Sequence, residues 1–145
     1  MASLKRFLKE KGYVKIPLTL THTGHFEVTA VINGVEGHFI LDTGASNTCV
    51  DFNSISHFKL APETTEIKAS GAGAREMDTQ IAKKNRLKLG KWQKKKVAIV
   101  LFNMTHINEA LKDHDAVPID GIIGADILKK GKAVIDYDKK YLYIK

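Results

Sequence analysis

The chain has 145 residues, 43% hydrophobic and 27% charged, with 11 Gly and 3 Pro. That length fits one domain, residues 1–145, able to bury a hydrophobic core without covalent staples, and the composition is neither disordered nor fibrous. Lys and Arg number 23 against 16 Asp and Glu, a net charge of +7, and the one cysteine, Cys49, excludes an intrachain disulfide framework and a multi-cysteine zinc site.

Met1 to Lys11 contains no apolar stretch long enough for a signal peptide, and no run approaches the roughly 18 apolar residues of a membrane span, so a cytoplasmic protein without membrane contact is expected. Leu4, Phe7 and Leu8 have the spacing of one helical face, and Gly12 ends that pattern. Val14, Ile16, Leu18 and Leu20 alternate with polar residues or proline as in a strand, with Pro17 marking an edge or a break. Two further strands, Phe26 to Ile32 and His38 to Leu41, flank the segment Asn33 to Gly37, whose Asn33-Gly34 pair is a strong hairpin signal. A strand resumes at Cys49-Val50. Residues 61–80 are rich in small residues and predict a hairpin with its tip around Gly71 and Gly73.

Ile81 to Leu89 and Val97 to Phe102 read as strands joined by a turn at Gly90-Lys91. Asn108 is expected to cap a short helix running to Lys112. A helix is expected from Ala125 to Lys130, stopped by Gly131, and a last hairpin pairs Val134 to Tyr137 with Tyr141 to Ile144. The whole is mainly β, with two or three short helices.

Asp42-Thr43-Gly44 at the end of an apolar strand carries the chemistry. Rigid backbone holds a carboxylate placed just past a buried strand, yet that carboxylate still faces a cleft, and the glycine lets the chain turn sharply. Ile40 and Leu41 give it poorly solvated surroundings, the setting in which two carboxylates share one proton. Peptide hydrolysis uses such a pair, one carboxylate activating water and the other polarising the carbonyl.

Ile40-Leu41-Asp42-Thr43-Gly44-Ala45-Ser46 resembles the active-site motif of the retropepsin-like aspartic proteases. Gly71-Ala72-Gly73 resembles the flap that closes over bound peptide in that family, and Ile122-Ile123-Gly124 its late hydrophobic loop under the active site. The resemblance, from about Phe26 to the C-terminus, implies a closed, orthogonal β-barrel-like acid-protease lobe. It further implies an aspartic endopeptidase with Asp42 catalytic, Thr43 and Gly44 supporting it, and a peptide or protein substrate contacting Ala45, Ser46, Asn47, Gly71, Ala72 and Gly73. A single Asp-Thr-Gly per chain implies a homodimer, with Asp42 from each copy at the two-fold axis and the two Thr43 hydroxyls interlocked. Asp120-Gly121 is the nearest second candidate and lacks the middle hydroxyl residue. Water is the nucleophile, so no cofactor or metal is implied.

Viral members usually pair an acidic residue at the Ser46 position with an arginine at the Ala125 position; here both are absent together, which leaves no orphaned charge and suggests a cellular or bacterial member. Ser46 is expected to hydrogen-bond locally instead.

Two alternatives stand beside this reading: a catalytically silent peptide-binding or dimerisation module, and, less favoured, a nucleic-acid-binding domain using the basic run from Lys83 to Lys96, with Trp92 available for stacking. The plainer reading of that run is a hairpin with a solvated lysine face that discourages edge aggregation. His22, His25, His106 and His114 have no carboxylate cluster at metal spacing, so no metal is expected. Cys49 reads as a buried structural thiol, and Tyr137, Tyr141 and Tyr143 as core or dimer-interface residues.

Overall fold

The computed structural model describes residues 3–64, 69–71, 74–77 and 79–145. Helix α1 (Leu4–Glu10) is capped by Ser3, whose hydroxyl oxygen accepts the Arg6 N–H at 3.1 Å. Of the three apolar residues on its expected face, only Leu8 is buried; a seven-residue helix against one strand has little to bury the others against. Gly12, at φ +88°, turns the chain into β1 (Val14–Pro17). The expected long strand breaks after Pro17, and β2 (Thr19–Leu20) belongs to a different sheet.

β3 (Phe26–Ile32) and β4 (Val35–Leu41) form a hairpin with Ile32 opposite Val35. The turn is therefore Asn33-Gly34 alone, shorter than the five-residue loop expected. Both residues are left-handed, at φ +52° and +84°, as a type I′ turn requires. The Asn33 amide also donates to Phe58 O and Asn85 Oδ1, each at 2.9 Å, so this turn residue ties the hairpin to the strands beneath it.

The remaining strands are β5 (Cys49–Asp51), β6 (Pro62–Thr64), β7 (Ala69–Gly71), β8 (Ala74–Met77), β9 (Gln80–Leu89), β10 (Trp92–Phe102), β11 (Gly121–Ile123), β12 (Val134–Asp136) and β13 (Tyr141–Ile144). Neighbours run β3–β4–β11–β5–β10–β9, and β9 returns to β3 through Val31 opposite Lys88 and Ile32 opposite Leu87, closing a barrel. β2 and β6 extend its rim. β1, β13 and β12 form a separate antiparallel sheet with β1, and so Pro17, at an edge. β7 and β8 pair only with each other among the described residues.

Inside the barrel lie Val28, Ala30, Ile32, Phe39, Leu41, Val50, Leu87, Ile99, Leu101 and Ile123. A second buried cluster lies on the outer face of β4, β5, β10 and β11, built from Ile40, Cys49, Val100, Phe102, Met104, Ile119 and Ile122 under Leu111. Leu111 belongs to helix α2 (Thr105–Asp113). Strands covered on both faces need apolar residues at successive positions, which accounts for the uninterrupted runs Phe39-Ile40-Leu41 and Ile99 to Phe102.

The basic run forms the β9–β10 hairpin, turning at Gly90-Lys91. Its leucines, Leu87 and Leu89, are buried while the lysines are exposed. Trp92 is buried too, packed toward Gly131, so it offers no surface for stacking on a base. No helix among the described residues is long and apolar enough to cross a membrane.

Candidate active site

Asp42 follows β4, and its position is set by β11 alongside. The two strands are parallel, with Ile122 opposite Ile40 and Ile123 opposite Leu41, and the Asp42 N–H donates to Ile123 O at 3.0 Å. The chain then turns tightly. Ala45 N–H donates back to Asp42 O at 3.2 Å, and Gly44 N–H donates to Asp42 Oδ1 at 2.9 Å. One carboxylate oxygen is thus oriented by backbone, and the side chain is half-buried. Thr43 and Gly44 are exposed at the surface of this turn.

The loop from Asp42 to Thr48 is clamped onto helix α3 (Ala125–Lys130). Ala125 N–H donates to Ala45 O at 2.7 Å. Gly124 packs so tightly beneath the loop that a Cβ there would lie 2.7 Å from Asn47 O and 2.8 Å from Ala45 O. The fully buried Thr48 completes the clamp: its hydroxyl donates to Asp126 Oδ1 at 2.8 Å and accepts Gly124 N–H at 3.1 Å. Ser46 and Asn47 are exposed, Ala45 half-buried. The expected local hydrogen bond of Ser46 is absent among the described residues, and Thr48 braces the loop in its place.

Asp42 lines one wall of a cleft of about 630 Å³. Ile40, Ile122 and Ile119 form its floor, Ile107, Ala110 and Leu111 of α2 the facing wall, and His22, His25, His114 and Asp115 also line it. α2 starts three residues before the helix expected from Asn108. Asn108 sits within it as a strut rather than a cap, its amide oxygen accepting Ile119 N–H at 2.8 Å and its amide nitrogen donating to Ile119 O at 3.2 Å. At the other end of the helix the His22 ring meets the His114 carbonyl, joining the β2–β3 turn to α2.

Asp120 plays no part in this cleft. It precedes β11 as Asp42 follows β4, so in parallel strands the two lie about 13 Å apart along the sheet at 3.3 Å per residue. Its carboxylate accepts the His38 N–H at 2.9 Å. Cys49 donates its thiol to Asn47 O at 3.2 Å, and burial, helped by the Asp126 and Asp42 carboxylates, pushes that thiol up to about 12. A thiol so held stays protonated and is no nucleophile at neutral pH. No group of histidine, cysteine and carboxylate residues is arranged to hold a metal among the described residues. Tyr143 is buried, whereas Tyr137 is largely exposed with its ring 5.0 Å from that of Phe26.

Of the residues expected in the flap, Gly71 ends β7 opposite Ala74 of β8, and Ala72 and Gly73 lie outside the described residues. Sequence reading missed Thr48, Asp126 and the α2 wall.

Residues 28–127 match the family described as aspartyl protease. No curated protein sequence matches the chain. Among solved structures, a retropepsin-like aspartic protease from Rickettsia conorii superposes with a TM-score of 0.60 at 19% identity, covering 92% of this chain and 89% of that one. EIAV protease, complexed with the inhibitor HBY-793, gives 0.57 at 18% identity over 77% of this chain and 92% of its own. The retroviral protease-like domain of Ddi1 from Leishmania major gives 0.56 at 20% identity over 82% and 86%. At these identities the structural likeness establishes a shared retropepsin fold.

Proposed function

Because the chain belongs to the aspartyl protease family, we propose that it is an endopeptidase in which Asp42 and the Asp42 of a second copy share one proton across a two-fold axis. The observation that carries the reading is Asp42 itself, half-buried, with one oxygen oriented by Gly44 N–H and the residue lining a cleft floored by Ile40, Ile119 and Ile122. The reading takes residues 1–145 as one catalytic domain.

In this mechanism one Asp42 is ionised and takes a proton from water as the water attacks the scissile carbonyl; the other is protonated and donates to the carbonyl oxygen. Proton transfer back through the same pair releases the amine. Gly44 N–H keeps the carboxylate plane fixed through these steps, and the Thr48–Asp126 brace keeps the loop fixed. Thr43, exposed at the turn, is the residue that meets its counterpart across the axis. The extended peptide runs over Ala45, Ser46 and Asn47 beneath the segment from Gly71 to Gly73, and a side chain beside the scissile bond enters the cleft walled by α2.

The test is cleavage of a diverse peptide library by mass spectrometry between about pH 4 and 7, where a shared-proton pair operates. Asp42→Asn should abolish the cuts. Asp115→Asn, which alters the other carboxylate lining the cleft, should leave them. Loss in both Asp42→Asn and Asp115→Asn would point to a pair within one chain and overturn the dimer mechanism. A dimer by sedimentation that makes no Asp42-dependent cut would favour the silent peptide-binding module, a reading open to any protein that keeps this fold without its chemistry.

A further inference from the structure

We propose that the cavity between α1, β1 and the β9–β10 turn is a binding site for a compact polyphosphate anion, independent of the Asp42 cleft. The cavity measures about 530 Å³ and shares no lining residue with that cleft. Its size falls within the range of about 300–1,000 Å³ typical of small-molecule sites. Four lysines line it from three separate elements: Lys5 and Lys9 from α1, Lys15 from β1, and Lys91 from the turn. No carboxylate lines it among the described residues.

None of these cations takes part in an ion pair among the described residues; the pairs involving α1 and the β9–β10 hairpin there are Arg6 with Glu10 and Lys83 with Glu63. Lys15 instead rests its ammonium 4.4 Å over the Tyr141 ring. Lys5 and Lys15 are close enough that the charge of Lys15, with a smaller contribution from Lys9, pulls the Lys5 ammonium below its ordinary range. Like charges converging from different elements repel, and a polyanion seated among them removes that repulsion. The Asp136 carboxylate acts on Tyr143, which also lines the cavity.

The lysine stems leave from fixed points. α1 is anchored by buried Leu8, and Tyr13 N–H donates to Leu8 O at 3.1 Å. The Tyr13 hydroxyl donates to Lys132 O at 2.9 Å, and β1 pairs with β13 along its whole length. Gly90, at φ +57°, brings the turn against Ile16 and Val14 of β1 and so holds Lys91 at the edge of the cavity. A preorganised cluster loses less on binding than lysines on a mobile surface. A single carboxylate would leave most of the repulsion in place; a ligand with three or four closely spaced charges matches the cluster. Free polyphosphates and phosphorylated lipid headgroups share that chemistry.

The test is calorimetry of the full chain with inorganic tripolyphosphate at about 0.1 M salt, where surface charges more than about 10 Å apart are screened from one another. Saturable one-to-one binding is expected, weakened at least about tenfold in Lys5→Glu/Lys15→Glu. The charge-matched control Lys94→Glu/Lys95→Glu should stay within about twofold of the unaltered chain. Thermal melts confirm that the altered lysines, all exposed, leave the fold intact, and Lys5→Gln/Lys15→Gln repeats the test with a smaller change of charge. Absence of saturable binding up to about 1 mM overturns the proposal, as does equal weakening in the control, which would reduce the effect to net charge. A parallel arm compares free inositol trisphosphate with vesicles carrying its lipid form. Lysine-dependent binding of the free anion alone assigns a soluble ligand; lysine-dependent binding of both assigns the headgroup.

Discussion

Thr48 donates its hydroxyl to Asp126 Oδ1 at 2.8 Å while accepting the N–H of Gly124 at 3.1 Å. One side chain on the loop after Asp42 therefore satisfies both the first turn of α3 and the glycine that precedes it. A neutral hydroxyl set against one carboxylate braces the loop with a single ionisable group.

Thr48→Val keeps the shape and removes the hydroxyl, leaving the buried Gly124 N–H unpaired. We expect a loss of about 1–3 kcal/mol in denaturant unfolding, with Thr48→Ser retaining most of the stability. Equal stability of all three proteins would show that the brace carries no energy.

Gly124→Ala places a methyl group 2.7 Å from Asn47 O and 2.8 Å from Ala45 O, both backbone atoms. The loop holding Asp42 has to move. A cost of about 1–3 kcal/mol is expected from overpacking, together with loss of peptide cleavage. Full activity in a folded Gly124→Ala protein would mean that the loop tolerates displacement.

Leu111 closes the second buried cluster and faces the cleft. Leu111→Ala should cost about 2–4 kcal/mol and enlarge the cleft. Ile107→Ala, at a half-buried position on the same wall, should cost less while enlarging it similarly. In the peptide library both variants should shift cleavage toward larger side chains beside the scissile bond. An unchanged profile in active variants would remove α2 from substrate selection.

The Cys49 thiol is raised from 9.0 to about 12 by burial and then by the Asp126 and Asp42 carboxylates. Between these values the unfolded chain releases the proton and the folded chain retains it. Stability attached to the neutral thiol is therefore complete below pH 9 and declines as pH rises toward 12, by at most about 1.4 kcal/mol per unit. Urea unfolding of the unaltered chain and of Cys49→Ala across that window should show the slope difference. A parallel pH dependence in the two proteins would exclude Cys49 as its source.

How far the site could be read from sequence depended on how local its determinants are. Asp42 was legible because the end of β4, Phe39 to Leu41, is buried on both faces, so its apolar run is uninterrupted and ends abruptly at a carboxylate. The Asn33-Gly34 turn was legible because two successive left-handed residues favour that pair. Asn108 was misread as a cap because its amide serves Ile119, eleven residues on, and nothing in the helix itself signals that. Trp92 looked free amid lysines, yet pairing opposite Leu89 at the end of the β9–β10 hairpin turns it into the interior.

The sequence by itself determined what depends on neighbouring residues: strand periods, the glycine turns, the short helices, and a carboxylate set just beyond a buried strand. Barrel closure decided the rest. The meeting of β9 with β3 and the parallel register of β11 against β4 bring Thr48 to Asp126, separated by 78 residues, and stand α2 over Ile40 and Ile122. Backbone preferences act over a few residues, whereas these contacts exist only once the sheet has closed and its register is set.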